Sequence, residues 1–285
     1  MKIVCVGEIL VDMIGQKKTG LKTNPEFQKR AGGAPANVAV AASRLEAEVE
    51  LVGTVGRDEF GEFLKTKMNK ENLRTTGIRS SKDLKTTLAF VSLDQDSKPH
   101  FSFYREADEV INNEQLDLDL ESDDIMHLGS LPLTSSDTAE NIMELLEGTE
   151  ATVSFDPNLR KELMNEEYEQ RLKQVISHVD ILTAADEEIE FFGGLEKIRE
   201  KTEEIIVTRG AEGAELFTEK NKFFAESNDV EVVDTTGAGD ALTGAYLAFR
   251  HKGKEKALNK AVEAASVSIT SKGAMSALPH ISELE

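Results

Sequence analysis

An α/β fold on a mostly parallel sheet is what this 285-residue sequence predicts. Short β-branched runs recur along it, stretches with helical spacing separate several of them, and one run passes through a glycine-rich turn into a helix. The runs are KIVCVG (2–7), VELVGTVG (49–56), DIMHLGS (124–130), TVSFDPN (152–158), DILTAA (180–185) and EEIIVTRG (203–210). TAENIMELLE (138–147) and EYEQRLKQVISHV (167–179) carry apolar residues at helical spacing between them. In such a sheet ligands collect at the carboxyl ends of the strands, so the residues just after each run are the first candidates for function.

The N-terminal stretch MKIVCVGEILVDMIG reads as the first strand. Glu8 and Asp12 interrupt its apolar character and no small-residue cleavage site follows, so it is not read as a signal peptide. Two places break the alternation of strand and helix. Residues 86–94 and 101–106 form an expected hairpin across QDSKPH (95–100), and the long polar segment 12–31 precedes a pair of glycines. Together these segments predict a small sheet separate from the main one. The length suits one large α/β domain with at most a small appendage, and no linker divides it.

Composition removes several function classes. The net charge is −20, from 53 acidic and 33 basic residues, which would repel nucleic acid and anionic membrane. A site for an anionic substrate must therefore concentrate positive charge locally. No apolar run approaches the ~18 residues of a membrane span. Cys5, the single cysteine, lies inside the first strand; it reads as a small core residue in a reducing cytoplasm. The five histidines are scattered without metal-ligand spacing.

DTTGAGDALTGAY (234–246) sets Gly237, Ala238 and Gly239 before Asp240, with VEVVD ahead as an expected strand and Leu242, Ala245, Tyr246 and Phe249 at helical spacing behind. A helix that begins at this turn offers unpaired N–H groups and partial positive charge to an anion that the missing side chains let approach. A carboxylate beside such an anion hole repels the anion, so the chemical role open to Asp240 is general base toward a hydroxyl that attacks phosphorus. The alternative is a plain helix cap. The stretch is neither a Walker loop, whose nearest miss is Gly56 to Gly61 followed by Glu62, nor G-x-G-x-x-G, since Leu242 takes the sixth position. The first strand is followed by one glycine, too few for a dinucleotide fingerprint. The second glycine stretch, RAGGAPANVAVAASRL (30–45), places Gly32 and Gly33 before Pro35 at a helix start. Asn37 falls in the first turns of that alanine-rich helix, where it would bond a polyol or serve only packing.

AGGAPANVAVAASRL and DTTGAGDALTGAYL together resemble the two signatures of the ribokinase/pfkB family of carbohydrate kinases, and the resemblance runs from GEILVDMIG to SKGAMSALP. It implies a ribokinase-like three-layer sandwich: one domain over 1–285, with a small β-sheet lid from about 12–31 and 86–106 that also builds a homodimer. It implies Asp240 as catalytic base and the amides of Gly237, Ala238, Gly239 and Asp240 as the phosphoryl-binding anion hole. Asp12, Gly32, Gly33 and Asn37 would hold the sugar; Thr208, Gly210 and Gly213 would lie near the ATP phosphates and ribose. Glu188 would tie magnesium through water, with Ala185 where a polar residue is usual, and Glu263 would stand near adenine. Asp234 and Thr236, with the loop 272–276, would hold potassium. GEILVDMIG, GGAPANVAV, FYREAD (103–108), SFDPNLR (154–160) and GAMSALP (273–279) look most like fructokinases, with Arg105 reaching from the lid toward the sugar or its phosphate and Arg160 holding substrate or γ-phosphate, the alternative for each being a surface ion pair. The expected activity is an ATP- and Mg2+-dependent sugar kinase acting on fructose. The alternatives are 2-keto-3-deoxygluconate, ribose or a nucleoside as acceptor, or a non-catalytic binding regulator on the same fold.

Overall fold

The computed structural model describes residues 1–95 and 99–284. The tip of the expected hairpin, 96–98, lies outside the described residues. In chain order the strands are β1 (Ile3–Val6), β2 (Leu10–Gly15), β3 (Phe27–Gly32), β4 (Val49–Gly56), β5 (Ile78–Ser81), β6 (Leu88–Leu93), β7 (Pro99–Tyr104), β8 (Ile125–Gly129), β9 (Thr152–Asp156), β10 (Ile181–Ala185), β11 (Glu204–Thr208), β12 (Gly213–Thr218) and β13 (Lys222–Glu226). The helices are α1 (Ala34–Arg44), α2 (Glu59–Met68), α3 (Ser136–Gly148), α4 (Glu166–Val175), α5 (Asp186–Phe191), α6 (Leu195–Arg199), α7 (Ala238–Phe249), α8 (Lys254–Ser268) and α9 (Ala274–Ala277).

The main sheet has the order β13-β12-β11-β10-β9-β8-β1-β4-β5. Every neighbouring pair from β11 to β5 is parallel, and β12 and β13 add an antiparallel edge. Alternation along β1 shows why its run is apolar throughout. Ile3 and Cys5 point into a core shared with α1, α7 and α8, while Val4 and Val6 point into one shared with α3 and α4. A strand covered on both faces has no polar side to offer. Cys5 is fully buried, and burial pushes its thiol up, away from reactivity.

The small sheet has the order β3-β2-β6-β7. One face, with Asp12, Arg30, Phe101 and Phe103, looks into the cleft over the main sheet. The other carries an edge-to-face run of Phe27, Phe90 and Tyr104, the last 65% exposed.

Two local expectations change. VEVVD is not a strand: the sheet ends at β13, and the stretch is irregular, held to the end of α8 by a bond from Val233 N to the Ile269 carbonyl (2.8 Å), with Val232 and Val233 exposed at the cleft rim. Helix α7 is buried on every side from Asp240 to Phe249. Small residues permit this, because a Cβ at Gly244 would lie 2.6 Å from Ala41 Cβ and 2.8 Å from the Val38 carbonyl of α1. The far end of α7 is tied to β11. Glu204, fully buried, accepts from the Tyr246 hydroxyl, from Arg250 Nη2 at 2.8 Å and from Lys254 Nζ at 2.7 Å.

Candidate active site

A cleft of about 2280 Å³ opens over the carboxyl ends of the parallel strands, roofed by the small sheet. The N-termini of α1 and α7 meet at it.

Gly237 starts α7 with φ 82°, a left-handed conformation that glycine adopts without strain, and a Cβ there would lie 2.7 Å from Ala274 Cβ. No side chain caps the helix. The Ala238 amide closes a turn onto the Thr235 carbonyl (3.2 Å), while those of Gly239 and Asp240 have no acceptor among the described residues. Asp240 is 7% exposed. Its Oδ2 accepts from Asn37 Nδ2 at 2.7 Å, and Asn37 Oδ1 has no partner among the described residues. Burial pushes the Asp240 carboxyl up to about 7, with Asp12 adding to the rise against the Asn37 hydrogen bond and the Arg160 charge.

At α1 the N-cap is again a glycine, Gly33, with φ 105°. A Cβ on it would strike the Glu8 carbonyl, and one on Gly32 would collide with the Asp12 carboxylate, so Gly32 makes room for Asp12 and is not itself a cleft-lining residue. The first amide of α1 has an acceptor from the protein itself: Ala34 N–H donates to Glu8 Oε1 at 3.0 Å. Glu8 is 3% exposed, and its Oε2 has no partner among the described residues. Burial raises the Glu8 carboxyl to about 7. Asp12 is also raised to about 7 by burial, against Arg160.

Arg160, just beyond β9, faces this acidic group and lies 5.6 Å from the Phe101 ring of the lid. Its charge favours the ionised forms of Asp12, Asp156 and Asp240 together. Asp156 is held well above the usual carboxylate range, by burial first and then by the charges of Glu188 and Asp240. Glu188 lines the same wall, its oxygens taking the Leu159 and Ala185 amides, each at 2.8 Å.

Several more expected residues stand elsewhere or act differently. Arg105 is turned away from the cleft: its guanidinium is buried on Asp108 (2.5 Å), Thr134 Oγ1 (2.7 Å) and the Leu131 carbonyl (3.0 Å), because Asp108 lies one turn along the same segment. Gly213 is packed under the Ala225 carbonyl at the start of β12, whereas Thr208 and Gly210 line the cleft. Glu263 pairs with Lys260 at 2.8 Å on α8, and is not among the cleft-lining residues. Asp234 and Thr236 line the cleft, but both Asp234 oxygens already accept hydrogen bonds, Oδ1 from Thr236 and Oδ2 from the Gly273 amide at 2.8 Å. Sequence reasoning assigned no role to Glu8, to Asp156, or to Thr183, whose buried Oγ1 has no partner among the described residues. Glu8 and Asp156 stand at or just past the end of a β-branched run, the signal that would have found them; Thr183 lies in the middle of β10 and carries no such signal.

The arrangement joins an uncapped helix terminus, a buried carboxyl raised to about 7 and the further polar side chains of Asp12 and Asn37 beneath the small sheet. Over residues 1–281 the chain matches the family model described as pfkB family carbohydrate kinase. It is 34% identical to fructokinase-2 of Solanum lycopersicum, over 99% of this chain and 94% of that protein. It superposes on an uncharacterized sugar kinase from Pyrococcus horikoshii in complex with ATP, with TM-score 0.91 and 31% identity, over 99% of this chain and 96% of that one. On the fructokinase with bound ATP from Xylella fastidiosa the TM-score is 0.87 at 30% identity, with the same coverage. This chain belongs to the pfkB family of carbohydrate kinases, phosphotransferases with a sugar hydroxyl as acceptor.

Proposed function

We propose that the protein is an ATP-dependent fructokinase that converts D-fructose and ATP to D-fructose 6-phosphate and ADP. The observation that carries this is Asp240: a carboxyl raised to about 7, at an uncapped helix N-terminus, in a cleft that Asp12 and Asn37 also line. Asp240 takes the proton of the sugar hydroxyl as its oxygen bonds to the γ-phosphorus; the bond from phosphorus to the bridging oxygen breaks, ADP leaves, and the proton passes to solvent. The amides of Gly239 and Asp240 hold the migrating phosphoryl oxygens. Asn37, Asp12 and Gly33 orient the sugar, and Arg160 balances the acidic wall. The lid keeps out water, which would otherwise accept the phosphoryl group.

ATP enters as its magnesium complex. Asp156 and Glu188 line one wall of the cleft and would hold the cation through water, because burial and the Glu188 charge raise the Asp156 carboxyl and a divalent ion would relieve it. When bound, magnesium draws charge from the phosphate oxygens. We leave potassium out of the proposal: the Asp234 oxygens are engaged, and Arg30 brings a positive charge to the same loop. The aromatic outer face of the lid supports a homodimer through Phe27, Phe90 and Tyr104. We read the lone buried Cys5 as that of a cytoplasmic enzyme.

The test is ADP release with fructose, ribose, 2-keto-3-deoxygluconate and adenosine in parallel. Fructose giving the highest kcat/KM supports the proposal; turnover of another acceptor alone reassigns the substrate, and no sugar-dependent ADP release overturns the catalytic reading.

A further inference from the structure

Arg30 has no part in the chemistry above, yet it joins two halves of the molecule that are far apart in sequence. It sits in β3, opposite Asp12 in the register, on the cleft side of the lid. From there its Nη1 donates to Ser276 Oγ at 2.8 Å and to the Lys272 carbonyl at 3.3 Å, while Nη2 donates to Gln28 Oε1 of its own strand at 3.1 Å. Ser276 Oγ in turn donates to the Lys272 carbonyl at 2.8 Å, so the guanidinium closes a compact knot across the loop 272–276.

That loop bears directly on the phosphoryl-binding turn. Gly273, with φ 90°, lies so near Arg30 that a Cβ would stand 2.6 Å from Nη1. Its amide donates to Asp234 Oδ2 at 2.8 Å, and Asp234 Oδ1 takes the Thr236 amide at 3.0 Å and hydroxyl at 2.6 Å. The next loop residue, Ala274, is the one that a Cβ on Gly237 would strike. Partial burial raises the Asp234 carboxyl, but the hydrogen bonds from Thr236 and Gly273, with the Arg30 charge, hold it below the usual range. The contacts run unbroken from lid strand to loop to the N-cap of α7.

We propose that Arg30 is a positioning residue that couples the lid to the first turn of α7, so that sugar held beneath the lid raises affinity for the nucleotide at the anion hole. The inference rests on the sugar-kinase reading. Asp12 and Arg30 are paired positions on adjacent lid strands, so a sugar that orders Asp12 orders the anchor of Arg30 as well. Linkage requires the effect to be mutual: nucleotide must raise sugar affinity by the same factor.

The experiment uses the full chain and calorimetric titration of Mg2+ with AMP-PNP, with and without saturating fructose, or whichever sugar the panel shows to be phosphorylated. Wild type is expected to bind AMP-PNP roughly tenfold tighter with sugar present, within the usual span of coupling between sites. In Arg30→Met each ligand alone should bind within about threefold of wild type, while the sugar effect falls to about unity. Arg30→Lys, which keeps the charge but not the fork, should retain part of the coupling. Ser276→Ala, which leaves the lid untouched, should weaken it as well. Full coupling in Arg30→Met overturns the inference, as does a loss of sugar affinity measured without nucleotide, which would make Arg30 a direct ligand. A wild type inert toward every sugar in the panel fails earlier, at the kinase reading, and takes the inference with it.

Discussion

Helices α1 and α7 reach the cleft by one construction and arrive with different charge. Both start at a glycine with positive φ, Gly33 and Gly237, both lack a cap from the N-cap residue, and they pack against each other through Ala41 and Gly244. At α1 the first amide is taken by Glu8 from the end of β1; at α7 the amides of Gly239 and Asp240 have no acceptor among the described residues. A helix terminus attracts anions only while its N–H groups remain unpaired. The protein thus supplies its own carboxylate to one terminus and leaves the other open to an anion. One hydrogen bond, Asn37 to Asp240, ties the two together.

The largest effect should come at the uncapped helix. Asp240→Asn should lower kcat by about 10²–10⁴, the usual worth of a general base, with sugar and nucleotide affinities within about tenfold of wild type. Near-normal turnover in steady-state assays would remove the difference between the helices. Titration adds two signatures. With the carboxyl at about 7, kcat/KM should fall roughly tenfold per pH unit on the acid side of that value. Stability changes in the opposite direction. The folded pKa lies above the unfolded one, so the contribution of Asp240 is complete in acid and disappears as pH rises through about 7. Melting curves should therefore show Asp240→Asn more stable than wild type near pH 8, with the advantage shrinking as pH falls and gone only below the unfolded value of 3.8.

Gly237→Ala should rank next. It forces a Cβ against Ala274 and strains a left-handed backbone, and loss of one anion-hole donor costs about 10²-fold in kcat. A variant with its kcat intact would show that the turn does not need its present shape. Smaller is the expected effect at α1. Glu8→Ala should raise sugar KM roughly tenfold by releasing Ala34, one charge-assisted hydrogen bond, while Glu8→Gln, which still accepts, should cost only a few-fold. Equal losses in the two variants would mean that charge, not capping, is what α1 needs from Glu8. Smallest should be Arg105→Met, expected to lower melting temperature with little change in sugar KM, since its guanidinium is committed to Asp108. A large KM effect would return Arg105 to the sugar.

How much of this was legible depends on how local each demand is. GGAP and GAGD could be read because a left-handed turn at a helix start writes glycine into the sequence at that very position. The parallel sheet could be read because strands buried on both faces are apolar without alternation. Arg105 and Arg160 looked alike because an arginine near a strand end is compatible with a site or with an ion pair; Asp108 decided the first, and only the packed structure shows which partner is reached. Glu8 was seen only as a break in an apolar run, since its acceptor role depends on α1 returning to the end of β1. Arg30 was invisible for the same reason: its partners, Lys272 and Ser276, lie at the opposite end of the chain.

Glu204 gives α7 a mechanical property. The carboxylate fastens the tail of the helix, through Tyr246 and Arg250, to the first residue of β11, whose last residue, Thr208, borders the cleft. Helix and strand are thereby riveted into one stiff bracket with both working tips on the same side. If a triphosphate binds at the turn as proposed, any pull along the helix axis would be borne by that rivet, and the distance between the two tips would be set at the end of the molecule remote from the chemistry.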